Sequence, residues 1–272
     1  MKRWTDRGFY WFFGTLFALG VLLLVLPFAY DGWLSQRNQQ AVTTYEHRAA
    51  TADPLIAKLK AYNQMIVAQQ QGRTPTTRVA IRQIQPELRE PLGYISAPAI
   101  KLQNTLIYYG DSDWALAHGA GTMPGTSLPS GGQDTLGVIT GHSGLANRIV
   151  FDNIRYLQTG DVFYVTSFGT TKAYRVYARK VVDPTDPTTL KAVHVQPGRD
   201  RMVLLTCTPL FVNTDRLLVY SKRVSMRAAK ATRTVRRDLW RLDHVWLMVV
   251  FGLMVGLGAW FLWQQRRRRQ NG

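Results

Sequence analysis

The chain has 272 residues, 46% of them hydrophobic, with 34 Lys or Arg against 17 Asp or Glu and a formal charge of +17. That length holds one domain of ordinary size with segments to spare, and the single cysteine, Cys207, excludes an internal disulfide, so the domain must stand on its apolar core. The basic excess invites a nucleic-acid reading, but no helix-turn-helix, finger or RNP pattern is present; basic flanks meeting anionic lipid or wall polymer account for it instead.

In chain order, a basic N-terminal stretch (residues 1–8, with Lys2, Arg3 and Arg7) precedes twenty uncharged residues from Phe9 to Phe28. An apolar helix of about 20 residues crosses a bilayer core of about 30 Å, so residues 9–28 are expected to span a membrane. Trp4, Tyr10 and Trp11 at one end, and Tyr30 and Trp33 at the other, fit interfacial aromatic belts. The run is longer than a signal-peptide core and no small-x-small site follows before Asp31, which predicts a retained anchor with the N-terminus cytoplasmic.

Residues 29–92 read as a stalk or helical cover segment. Leu55, Ile56, Leu59, Tyr62, Ile66 and Val67 recur near a period of 3.6 between Pro54 and Gln71, predicting a helix opened by Asp53-Pro54 and closed at Gly72. The remainder up to Pro91 is polar, basic and weakly patterned. The segment is expected to pack partly across the groove that holds Cys207, because a lone external thiol benefits from a cover.

From Gly93 the texture changes to short β-type runs: Gly93–Ile95, Leu102–Tyr108, Leu136–Thr140, Val162–Ser167, Lys172–Val182, Met202–Thr206 and Arg216–Val224. Short strands separated by Gly, Pro, Asp and Asn predict a mainly β domain over residues 93–226, a barrel or sandwich. Helix is expected only around Ser112–Ala117 and Ile149–Tyr156. Residues 227–244 form a basic juxtamembrane segment, residues 245–263 a second uncharged run of nineteen, and residues 264–272 a tail carrying Arg266 to Arg269. That tail puts the C-terminus inside as well, with the β domain outside. The six Lys or Arg between Arg227 and His244 run against this rule; the first span and the agreement of both tails outweigh them.

Three residues could carry chemistry. Cys207 ends the apolar run Met202-Val203-Leu204-Leu205-Thr206, and Thr208-Pro209 must stop that strand because proline cannot donate to the ladder. A thiol at a strand mouth suits a nucleophile, although a buried structural thiol is the commoner fate of a lone cysteine. A thiolate needs a base or cation beside it. Of five histidines, His47 lies in the stalk, His244 at the membrane edge and His194 in a loop, leaving His118 and His142. His142 stands at a strand end between Gly141 and Ser143-Gly144, where glycine permits close backbone approach to a substrate. Arg216, nine residues after Cys207, opens an apolar run that could return beside the Cys207 strand, bringing a guanidinium to the same rim; a surface pairing with Asp215 is the alternative. No cluster of Cys and His has metal-ligand spacing, so neither metal nor organic cofactor is expected.

These pieces resemble the sortase family. Leu204-Leu205-Thr206-Cys207 is similar to its cysteine signature, Thr140-Gly141-His142 to its histidine motif, and Asn213 to Val219 to its arginine motif. Gly125 to Gly132, Phe151-Asp152-Asn153-Ile154 and Gly160-Asp161 resemble the class C, pilus-assembling branch, as does the pair of apolar runs. The chain departs from the pattern at Val203, where the signature has Thr, and at Thr122, where His is frequent. Ala61-Tyr62-Asn63 matches the lid-associated helix, but Asp53-Pro54 precedes that helix and is followed by Leu55, so the lid is altered or absent. The resemblance implies a closed β-barrel with short helices, flanked by transmembrane helices, on the outer face of a Gram-positive membrane. It implies a cysteine transpeptidase in which Cys207, His142 and Arg216 cut a Leu-Pro-x-Thr-Gly type signal between Thr and Gly. The acyl group would pass to an amine, a pilin lysine in the class C reading. The implied partners are proteins bearing such signals and membrane lipid; a peptidoglycan amine or water are the other acceptors.

Overall fold

The computed structural model describes residues 39–47, 55–143, 151–209 and 212–235, with scattered positions in both terminal segments. The chain divides into two compact units, Arg37–Arg237 and a second made of Met1–Gln36 with Asp238–Gly272. In the second unit the Phe17 and Phe251 rings, one from each apolar run, are 6.2 Å apart. Among the described residues no helix is long and apolar enough to cross a membrane. Most of both runs expected to span lies outside the described residues.

Unit Arg37–Arg237 is built on a closed eight-stranded barrel. Its strands are β1 (Gly93–Ala97), β2 (Leu102–Tyr108), β3 (Ala120–Thr122), β4 (Thr135–Thr140), β5 (Val162–Ser167), β6 (Thr170–Val182), β7 (Asp200–Thr208) and β8 (Asp215–Val224). They close in the order β1-β2-β3-β4-β7-β8-β6-β5, with β5 paired back to β1. Only β2–β3 and β4–β7 are parallel. Seven of these strands fall where the β-type runs stand in the sequence. The eighth, β3, is three residues long.

Side-chain alternation sorts each strand into an inner and an outer face. Met202 and Leu204 of β7, Leu217 and Val219 of β8 and Ile139 of β4 enter the barrel core with Ile95, Ile107, Phe163, Val165 and Val176. Val203 of β7, Leu218 of β8, and Leu136 and Val138 of β4 point outward into a second apolar cluster with Val182 and Val193. The central sheet β4-β7-β8 is therefore covered on both sides, and this explains why Met202 to Leu205 is an unbroken apolar run.

The two barrel ends are closed differently. Phe151, Ile154 and Leu157, around the 3-10 turn Asp152–Tyr156, join the core beside Ile100 of the turn Pro98–Ile100. Near the start of β7 the filling is polar. The Tyr174 hydroxyl donates to Asp200 at 3.0 Å, Gly132 N donates to the other Asp200 oxygen at 3.0 Å, and the Lys172 ammonium donates to the Ser130 carbonyl. Burial pushes the Asp200 carboxyl up and the Lys172 ammonium down, each away from its charged form.

The segment before the barrel is docked onto it. In the helical stretch 39–47, Val42 is buried with Leu106, Tyr108 and Ala115, and the Tyr45 hydroxyl donates to the Leu92 carbonyl at 3.0 Å. The helix α1 (Leu55–Gln70) lies within the predicted span and ends in a Schellman closure, Arg73 N to Ala68 O and Gly72 N to Gln69 O, with Gly72 at φ 68°. Its expected opening pair, Asp53-Pro54, lies outside the described residues.

Leu59, Tyr62 and Ile66 of α1 pack on Leu92, Leu128, Tyr109 and Phe168. Asn63 fixes the register, accepting from Leu128 N at 3.0 Å and donating to the Ser130 hydroxyl at 3.2 Å. The cover segment, expected to pack partly across the groove that holds Cys207, docks its helix α1 mainly elsewhere, and residues 48–54 lie outside the described residues. The α1 stripe finds its apolar partners around residues 92, 128 and 168, beside the Asp200 end of β7, and Cys207 lies seven residues further, about 23 Å along an extended strand. Only at its last turn does α1 approach the outer cluster, where the Gln70 carboxamide accepts from Val195 N at 2.8 Å. Ile66→Ala should cost about 2–4 kcal/mol of stability through the cavity it leaves, while Cys207 alkylation in the folded protein stays at its wild-type rate. Thermal unfolding followed beside iodoacetamide labelling checks both halves.

Candidate active site

Of the three sequence-predicted residues, Cys207 and Arg216 lie on adjacent strands and His142 lies two residues beyond the end of a third. Cys207 of β7 and Arg216 of β8 are direct cross-strand partners. On the other side of β7, the parallel ladder runs from Thr135↔Asp200 to Thr140↔Leu205, a constant offset of 65, and carrying that register two residues further sets His142 beside Cys207. Alternation gives Cys207 and Arg216 the same face, and carrying the β4 pattern past Thr140 brings His142 to it. Cys207 follows the outward Val203 and Leu205, Arg216 precedes the outward Leu218, and His142 follows the outward Val138 and Thr140. The site therefore lies on the outer surface of the barrel wall, at one end of the β4-β7-β8 sheet. Cys207 and His142 are each half-buried.

Beyond Thr140 the β4 ladder stops, yet the chain stays tied to β7. Gly141 N donates to Leu205 O at 3.1 Å, the Thr206 hydroxyl donates to Gly141 O at 2.7 Å, and the Ser143 hydroxyl donates to Cys207 O at 2.7 Å. Phe151 N donates to His142 O at 3.3 Å, which turns the chain inward toward the core. Sequence reasoning missed Thr206 and Ser143 as clamps. The available signal was a hydroxyl residue on each side of the dyad.

Gly141 has a different reason from the one its sequence context suggests. A Cβ there would stand 2.7 Å from Cγ of the fully buried Phe151 ring, so the glycine makes room for the core rather than for a substrate. Gly141→Ala should overpack this contact, costing about 1–3 kcal/mol and displacing the His142 turn. Thermal unfolding and Cys207 labelling should fall together; a variant with wild-type stability would contradict the packing argument.

Arg216 is held at the strand end by its own loop. One guanidinium nitrogen donates to the carbonyls of Asn213 and Asp215, each at 3.0 Å, while the Asp215 carboxylate accepts from the Thr214 hydroxyl at 2.8 Å. Asn213 adopts φ 62° in this turn, a left-handed conformation that asparagine tolerates. The far wall of the groove is the β6–β7 connection with its 3-10 turn Pro187–Val193, pinned to the sheet by Tyr220, whose hydroxyl donates to Ala192 O at 3.0 Å. Burial, with Tyr177 beside it, pushes the Tyr220 phenol up. Met123, Leu205 and Val195 pack against the buried Val193 and Val182.

The remaining histidines and motifs settle into other duties. His118 ends the short helix α2 (Asp113–His118), where Nδ1 meets the Trp114 carbonyl at 2.7 Å and the ring stacks on Trp114. Thr122 is buried, and its hydroxyl accepts from Gly110 N at 2.9 Å. In Gly125 to Gly132, the Thr126 and Ser127 hydroxyls accept from Val138 N and Leu136 N, and in Phe151 to Ile154 the apolar side chains plug the barrel. These stretches are structural. Among the described residues no group of three or more His, Cys, Asp or Glu gathers as a metal site.

Residues 95–224 match the family described as the sortase domain. The fold is similar to sortase C1 of pilus island 1 of GBS (group B Streptococcus), at 32% identity and TM-score 0.61, covering 70% of this chain and 98% of that one. It is also similar to Clostridium perfringens sortase C with the C-terminal cell wall sorting motif, at 33% identity and TM-score 0.60, covering 69% and 99%. Sortase A of Bacillus anthracis is 24% identical over 219 residues, 79% of this chain and 94% of that protein. With a closed barrel, a likeness that spans nearly the whole of these relatives and a Cys–Arg strand pair at the barrel rim, the chain belongs to the sortase family.

Proposed function

We propose that the chain is a membrane-anchored cysteine transpeptidase that cuts a Leu-Pro-x-Thr-Gly type signal between Thr and Gly and passes the acyl group to a lysine amine of a pilin subunit. The observation that carries this reading is the direct pairing of Cys207 with Arg216, with His142 following two residues after the β4–β7 ladder. The likeness to class C sortases, one of them described with a sorting motif, supports the substrate class.

In this mechanism the Cys207 thiolate attacks the threonine carbonyl carbon, and negative charge gathers on the carbonyl oxygen, where the Arg216 guanidinium stabilises it. The C–N bond breaks as His142 gives its proton to the departing glycine nitrogen, leaving a thioacyl enzyme. The lysine amine then attacks the thioester, His142 takes a proton from it, and the Cys207 thiolate leaves. The two uncharged runs, with basic flanks at Lys2, Arg3, Arg7 and Arg266 to Arg269, anchor the chain with both termini in the cytoplasm and the barrel outside.

The test uses the full chain in detergent, a sorting-signal peptide and a lysine donor. Mass spectrometry should detect the peptide acyl group on Cys207 and then an isopeptide product. Hydrolysis alone, unchanged by lysine, would make the chain a hydrolase, and acylation at no residue would remove the reading. Protease added to intact protoplasts should remove the barrel; protection would reverse the orientation.

A further inference from the structure

The β4–β7 ladder contains an irregularity at the point where the proposed chemistry takes place. In a parallel ladder, N–H donors two residues apart on one strand bond carbonyls two residues apart on the next. Gly141 N takes Leu205 O, so the following donor in register would be Ser143 N, and its acceptor would be Cys207 O. Cys207 O instead accepts from the Ser143 hydroxyl, at 2.7 Å. Between these two points stands His142, whose backbone groups in this register face away from β7 and whose carbonyl accepts from Phe151 N. A side chain has replaced one rung of the ladder, and the chain on both sides of His142 remains attached to β7. Ser143 is itself buried, 7% exposed, so water competes little for this bond.

We propose that Ser143 is a positioning residue for the proposed Cys207–His142 dyad; the claim rests on the transpeptidase reading above and deepens it. The donor belongs to the residue after His142, and the acceptor is the carbonyl of Cys207 itself. One hydrogen bond therefore fixes the separation across which the proton must pass. Its partner on the other side is the Thr206 hydroxyl bond to Gly141 O. The two bonds run in opposite directions between the strands, so His142 is held from both flanks. Removing the Ser143 hydroxyl leaves its flank free and lets the imidazole drift from the sulfur, while the groove walls that receive the signal stay in place.

The experiment compares wild type, Ser143→Ala, Ser143→Gly and Ser143→Thr as full-length chains in detergent. Three readouts are taken: the iodoacetamide rate at Cys207, kcat and KM for transfer of a sorting-signal peptide to a lysine donor, and the thermal midpoint. Both hydroxyl-free variants should lower kcat about fivefold to tenfold, the kinetic equivalent of one modest hydrogen bond, with KM within about twofold. Their alkylation rate should fall alongside kcat, and Ser143→Thr, which keeps a hydroxyl, should restore both. Wild-type kcat in a folded hydroxyl-free variant overturns the proposal. So does a loss that Ser143→Thr does not rescue, or one that appears in KM alone, because either marks a packing role. If wild type transfers no peptide, the transpeptidase reading fails by itself, and the alkylation comparison still decides whether Ser143 tunes the thiol.

Discussion

Cys207→Ala should bring peptide transfer down to background, a loss of at least about 10⁴-fold, with no acyl adduct on any residue. No other thiol is present to substitute, since Cys207 is the single cysteine. The fold should survive. The side chain is half-buried at a strand end, and exchanging it for alanine removes one sulfur from the rim of the outer cluster, not from the barrel core of Met202, Leu204 and Thr206. A stability change within about 1 kcal/mol is expected, so circular dichroism and thermal unfolding should match wild type. Residual transfer above a hundredth of wild type would move the nucleophile elsewhere and dismantle the proposed mechanism.

Arg216→Lys should lower kcat/KM about 10²- to 10³-fold, or about 2.7–4 kcal/mol of transition-state stabilisation. Charge is preserved in this variant; geometry is not. The arginine reaches two carbonyls, Asn213 O and Asp215 O, with one nitrogen of a planar fork whose remaining N–H groups have a fixed direction. A lysine ammonium is a point donor on a flexible stem and cannot hold that loop and present a second donor at the same time. Alkylation of Cys207 by a small uncharged reagent should continue at a comparable rate, because no oxyanion needs holding there. An activity within about threefold of wild type would show that charge alone suffices and that the fork has no catalytic part.

The barrel strands were largely legible because their patterns match their surroundings. The run Met202 to Leu205 sits between an inner cluster and an outer one, so its unbroken apolarity was a direct signature of burial on both faces. The strand β3 was not legible. Ala120-Gly121-Thr122 has no periodicity to detect, and Gly121 is there because a Cβ would stand 2.2 Å from Gly110 O. The candidate site was read at the level of residues, from a thiol, an imidazole and a guanidinium at or just beyond the ends of three β-type runs. Their clamps were not, because Ser143 and Thr206 act through a register that only the folded sheet defines.

The placement of the preceding segment illustrates a different limit. The stripe Leu59, Tyr62 and Ile66 requires that α1 dock somewhere, but its partners Leu92, Leu128 and Phe168 come from three separate turns. Nothing in the helix itself names them. The stretch 39–47 offers little apolar pattern because one buried residue, Val42, and polar contacts such as Tyr45 to Leu92 O and Tyr94 to Glu46 attach it. An amphipathic pattern thus fixes that a surface will be covered, and tertiary context decides which one.

The mixed pairing around β7 also sets the order in which the active centre can assemble. Arg216 is nine residues from Cys207 and meets it in an antiparallel hairpin, whereas His142 is sixty-five residues away and arrives through a parallel rung. Closing the longer loop costs about 1.8 kcal/mol more chain entropy on a logarithmic loop law. The thiol and guanidinium therefore come together early, and the imidazole joins when β4 docks against β7. A chain emerging unfolded on the far side of a membrane would carry a nucleophile without its proton carrier until that docking. Under the proposed function, turnover would then begin only with closure of the barrel, and an exported chain would be kept from reacting with its neighbours while it folds.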